Sequence, residues 1–86
     1  AELYDPCSGR FMEMFTTEPA VQFYAGNALH FDNETNNCKS SFIQHAGLCL
    51  EAQHYPNSPN EPSFPNTILK PGKKYRQTTS YKFSIR

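Results

Sequence analysis

The chain has 86 residues, no tryptophan, 37% hydrophobic side chains and a formal net charge of zero from 8 basic and 8 acidic residues. That length is filled by one small domain, residues 1–86, which buries only about 60–65% of its unfolded surface, so the core is expected to be thin. Balanced charge excludes the electrostatic footprint of a nucleic-acid binder or of a protein drawn to an anionic membrane. No apolar run approaches the ~20 residues needed to cross a bilayer, and the expected partner is neutral or chosen by shape.

Cys7, Cys38 and Cys49 leave one thiol unpaired under any pairing scheme, which points to free thiols in a reducing compartment, the cytoplasm. The sequon Asn33-Glu34-Thr35 matters only in a secreted chain and is read as a chance match. The chain opens on Ala1 without Met, and its first residues already have the character of a strand. A longer parent polypeptide is therefore expected.

Residues 1–4 and 10–17 flank Asp5-Pro6-Cys7-Ser8-Gly9, in which Pro presets φ and Gly supplies positive φ, so the segment predicts a β-hairpin. In the second arm Met12 and Met14 alternate with Phe11, Glu13 and Phe15, and the methionines are expected to fill core. Pro19 ends that strand by withdrawing a ladder donor. A short strand follows over residues 20–24, with Val21 and Phe23 on one face and Gln22 and Tyr24 on the other, broken by Gly26-Asn27. Taken alone, Gln22 is a surface amide and Asn27 a turn residue. Residues 30–42 are polar and aperiodic, the composition of a surface loop of the kind that often lines a site.

The stretch Gly47-Leu48-Cys49-Leu50-Glu51-Ala52-Gln53-His54-Tyr55-Pro56 is read as the central strand. Strand alternation points Leu48, Leu50 and Ala52 one way and Cys49, Glu51 and Gln53 the other, placing a carboxylate and an amide about 7 Å apart on the polar face. Such a face is either the wet side of a half-exposed strand or a rigid mount for one ionisable acid. Pro56, Pro59, Pro62 and Pro65 then exclude a sheet interior or a helix, so residues 54–66 are expected to be a restrained, largely extended loop. Residues 67–70, the turn Pro71-Gly72 and residues 74–85 predict a closing hairpin, whose second arm alternates as a half-buried strand. With no helical-period segment, the fold class is all-β.

Four separated motifs carry a resemblance. Gln22-Phe23-Tyr24-Ala25-Gly26-Asn27, the stretch Gly47 to Pro56, Asn60-Glu61-Pro62-Ser63-Phe64-Pro65 and Leu69-Lys70-Pro71-Gly72 occur in the order and spacing of the aldose 1-epimerases, or galactose mutarotases. The chain resembles their C-terminal portion over nearly all of its length. That resemblance implies a large antiparallel β-sandwich of which this chain supplies a minority of strands, an aldohexose such as galactose or glucose as substrate, and no cofactor. It implies Glu51 as general base, with Gln22, Gln53 and Asn27 as sugar contacts, since amides offer both a donor and an acceptor to a hydroxyl. The partner acid in the family is a histidine from the N-terminal portion, absent here and expected on the rest of the fold, whether the same polypeptide or a separate chain.

The chain's own histidines do not replace it. His45 shares the parity of Glu51, but six residues of strand is about 20 Å; His54 has the opposite parity; His30 falls in the polar loop. A metal reading would gather Cys38, His45, Cys49 and His54, whose spacing fits no standard zinc pattern. Cys49 between two leucines is a small hydrophobe rather than a nucleophile. The alternative to an enzyme is a β module that binds a carbohydrate or a partner without turnover.

Overall fold

The computed structural model describes residues 1–29 and 43–86. The polar loop over residues 30–42, with His30, Cys38 and the Asn33 sequon, lies outside the described residues. Among the described residues five strands form, β1 (Glu2–Asp5), β2 (Arg10–Thr16), β3 (Ala20–Tyr24), β4 (Cys49–Gln53) and β5 (Thr79–Ile85), together with one 3₁₀ turn at Ser58–Asn60. No α-helix occurs among the described residues, and no helix there is long and apolar enough to cross a membrane. The all-β expectation holds. The chain divides into two compact units, Ala1–Val21 with Ala52–Arg86, and Gln22–Glu51.

In the first unit an antiparallel sheet has the order β1-β2-β5. The first hairpin closes as its sequence demands: Asp5 accepts from the Cys7 N–H at 3.1 Å and from the Ser8 hydroxyl, and Gly9 turns the chain at φ 69° while donating to the Asp5 carbonyl at 2.8 Å. These bonds hold the Asp5 carboxyl below its ordinary pKa, the Ser8 hydroxyl being the largest cause.

Register follows from cross-strand rows. Leu3, Met12 and Phe83 stand in one row, and Glu2, Glu13 and Lys82 in the next. Glu2 opposite Glu13 is a like-charge pair, offset by Lys82, whose Nζ lies 2.9 Å from Glu13. Thr16 opposite Thr79 adds a hydroxyl–hydroxyl bond of 3.0 Å, and the ladder runs on through Thr17 N–H to the Thr78 carbonyl.

The core is thin: Phe11 and Met14, each 3% exposed, are the buried hydrophobic residues among those described. Met14 fills core as expected, with Met12 half-buried beside it. Phe11 lies edge-on to Tyr4 and carries the Arg86 guanidinium 3.6 Å above its ring.

Two expectations need correction. The Pro71-Gly72 turn forms, with Gly72 at φ 78° and the Lys73 N–H bonded to the Lys70 carbonyl, but residues 67–70 are not a strand. β5 begins only at Thr79 and pairs with β2 instead, because the alternating residues of β2 offer a longer ladder than four exposed residues can. Nor is β5 half-buried: Phe83 is 74% and Ile85 81% exposed. The proline-rich segment is also less extended than expected. A 3₁₀ turn accommodates Pro59 in its first positions, where a missing N–H costs nothing, after Asn57 in the left-handed region. The buried Ser58 hydroxyl donates to the Tyr55 carbonyl, and Tyr55 packs on Phe64 at 4.9 Å.

Candidate functional site

β3 and β4 pair as a two-stranded sheet. β4 carries Glu51 exposed between the half-buried Leu50 and Ala52, the alternation read from the sequence. Gln53, at the end of the strand, is half-buried rather than open. The strand itself starts at Cys49, later than the sequence suggested, since Gln44 to Ala46 form a turn. The strand-length separation between His45 and Glu51 therefore does not apply.

On β3, Gln22 is exposed and folds its amide N–H onto the Phe23 carbonyl at 3.0 Å. Gln22 and Glu51 thus lie on neighbouring strands of one sheet. Asn27 is exposed in the turn after β3.

That turn is tied down from several directions. Gly26, at φ 70°, accepts through its carbonyl from the His45 N–H at 3.0 Å and the Leu29 N–H at 3.2 Å. His45 Nδ1 reaches the Ala25 carbonyl at 2.8 Å, and the Gln44 amide donates to the Asn27 carbonyl at 3.0 Å. The Ala28 N–H donates to the Tyr24 hydroxyl at 2.9 Å. The exposed side chain of Asn27 is consequently mounted on a backbone whose own carbonyl is already engaged. His45 acts as a fastener, its ring nitrogen spent on main chain.

Beside β4 in the same unit, Tyr24, Leu29, Leu48 and Cys49 line a shallow cavity of about 230 Å³. The Cys49 thiol is free and exposed, as is that of Cys7. Among the described residues no cluster of three or more His, Cys, Asp or Glu side chains is disposed to hold a metal ion.

In the first unit the structure assembles a cluster that sequence reading missed. Glu18, in the bend after β2, has its side chain only 4% exposed. One carboxylate oxygen accepts from the Tyr75 hydroxyl and the other lies 3.3 Å from His54 Nδ1. The carboxylate raises the Tyr75 phenol above its ordinary pKa, chiefly through that hydrogen bond. Nothing local could have revealed this grouping, because 57 residues separate Glu18 from Tyr75.

Comparison with known proteins accounts for the motifs. The family model for aldose 1-epimerase matches residues 1–82. Galactose mutarotase of Mus musculus is 45% identical over 85 residues, covering 99% of this chain and 25% of that protein. Galactose mutarotase of Homo sapiens is 42% identical over 85 residues, with the same two shares. Aldose 1-epimerase of Escherichia coli (strain K12) is 36% identical over 74 residues, 84% of this chain and 21% of the bacterial protein. The chain thus spans a quarter of the length of the mammalian relatives it matches.

Proposed function

The chain belongs to the aldose 1-epimerase family, and from that premise we propose that its 86 residues are the C-terminal part of a single mutarotase domain, carrying the general base of a reaction that interconverts the α and β anomers of aldohexoses such as galactose and glucose. The observation that carries the reading is Glu51, presented exposed on a strand paired with the one that bears Gln22.

The chemistry sets the requirement. A base takes the proton of the C1 hydroxyl while an acid protonates the ring oxygen, so the C1–O5 bond breaks and the open-chain aldehyde forms. Rotation about C1–C2 presents the other face, and the reverse proton transfers close the second anomer. Both protons are returned, and the steps call for neither metal nor nucleotide. Glu51 serves as the base, and a strand mount limits its freedom to drift from a productive hydrogen-bond distance. Gln22, Asn27 and Gln53 supply amides for the other ring hydroxyls.

The acid comes from the remaining three quarters of the family's fold. The histidines described here support that division, since His45 is engaged with the Ala25 carbonyl and His54 faces Glu18. One positioned acid or base is worth about 10²–10⁴ in rate, so the 86 residues alone are expected to be weakly active or inactive. The exposed row of Leu3 and Phe83 on the three-stranded sheet supports a larger sandwich that covers it. The free thiols of Cys7 and Cys49 support a reducing compartment, the cytoplasm.

Glu51→Gln in the complete polypeptide should lower the catalysed rate of mutarotation by about 10²–10⁴ while sugar binding persists. Normal turnover in that variant would remove Glu51 from the role. The second reading is a binding module without turnover, which the exposed Gln22 and Asn27 amides would also serve. It predicts weak, saturable sugar binding that Glu51→Gln leaves undiminished, with no catalysis.

A further inference from the structure

The Glu18 cluster lies outside the residues assigned to the sugar, and its geometry has a direct consequence. Three bonds pin the backbone around Glu18: its own N–H donates to Thr16 Oγ1 at 3.1 Å, the Thr17 N–H donates to the Thr78 carbonyl at 3.0 Å, and the Thr78 N–H donates to Thr17 Oγ1 at 3.0 Å. A carboxylate on such a fixed backbone, 4% exposed, is itself a rigid acceptor. Tyr75 satisfies one oxygen, and the second faces His54 Nδ1 at 3.3 Å. An unprotonated Nδ1 would set its lone pair against a carboxylate oxygen. Placing the proton there removes the repulsion and orients the ring, as carboxylates do for histidines in many sites.

We infer that Glu18 is a positioning residue: it holds His54 with the proton on Nδ1 and thereby fastens the C-terminal end of β4, the strand bearing Glu51, to the bend that follows β2. His54 immediately follows β4, and Glu51 precedes it by three residues. The anchor bears on Ala52 to His54, the residues that directly follow Glu51 in the chain. Tyr75 completes the anchor by occupying the oxygen that would otherwise seek water. It also brings the segment ahead of β5 onto the same carboxylate.

The test is a long-range ¹H–¹⁵N correlation spectrum of the complete polypeptide, ¹⁵N-labelled at histidine and recorded in mildly alkaline buffer. His54 should show the Nδ1–H tautomer, whereas a free imidazole favours Nε2–H. Glu18→Gln should abolish that preference and speed amide exchange at Ala52 and Gln53 by about fivefold, the loss of one close contact to a charged group. Tyr75→Phe should keep the Nδ1–H form. An Nε2–H tautomer in the unsubstituted chain overturns the inference without recourse to any variant. A folded Glu18→Gln variant, shown by unchanged exchange in β2 and β5, that leaves Ala52 and Gln53 unaltered also overturns it. A Glu51→Gln variant with normal mutarotation would refute the base assignment alone, since the His54 tautomer is read independently of the reaction.

Discussion

The Gly47 carbonyl oxygen stands so close over Gly26 that a Cβ added there would lie 2.6 Å from it. Gly26 also holds φ 70°, where side chains are strained. Gly26→Ala should therefore cost about 3 kcal/mol or more, combining left-handed strand-end strain with a clash that backbone must relieve. Gly72 is the control: at φ 78° with nothing within 4 Å of an added Cβ, Gly72→Ala should cost only about 1 kcal/mol. Urea unfolding midpoints of the two variants give the comparison. Equal costs would show that the approach of Gly47 is not what demands glycine.

Asp5 offers a pH signature. Its pKa is depressed in the folded chain, first by the Ser8 hydroxyl and then by the Cys7 N–H. Stability from this turn is present above the ordinary value of 3.8 and is lost as pH falls through the lower, folded value. Ser8→Ala should move the Asp5 titration, followed by NMR, back up toward 3.8. A titration that does not rise would sever Ser8 from the effect.

Tyr75 reports on Glu18 from the alkaline side. Its folded pKa is raised above 10.0, chiefly by the bond to Glu18. The stabilisation is therefore full below 10.0 and disappears as pH rises through the folded value. Glu18→Gln should shift the phenolate absorbance titration of Tyr75 down toward 10.0, and an unmoved titration would mean that the carboxylate is not its cause.

Leu3, Met12 and Phe83 form an apolar row, and with Phe11 they line a shallow cavity of about 320 Å³. Since Phe83 is already 74% exposed, Phe83→Ser should change stability by no more than about 0.5 kcal/mol. It should reduce self-association of the isolated chain, measured by light scattering, because an uncovered apolar face favours contact between copies. Undiminished association would place the sticky surface elsewhere.

Much of this was legible in local text. The hairpin of β1 and β2 follows from Asp5, Pro6 and Gly9 between alternating arms, and the exposure of Glu51 from alternation around Leu50 and Ala52. The partner of β5 was not, because pairing Met12 with Phe83 joins residues far apart in sequence, whereas the Pro71-Gly72 turn suggested a neighbour. His45 was misread as strand for a similar reason. Its left-handed φ of 64° is imposed by bonds to Ala25 and Gly26, which no residue near it announces. The Glu18 cluster is wholly a product of tertiary structure.

The most direct measurement is polarimetry on freshly dissolved α-D-galactose, comparing the complete polypeptide, its Glu51→Gln variant and a buffer blank. The account predicts that the variant loses about 10²–10⁴ of the catalysed rate. A Glu51→Gln enzyme that brings the sugar to its anomeric equilibrium as fast as the unsubstituted one would contradict it.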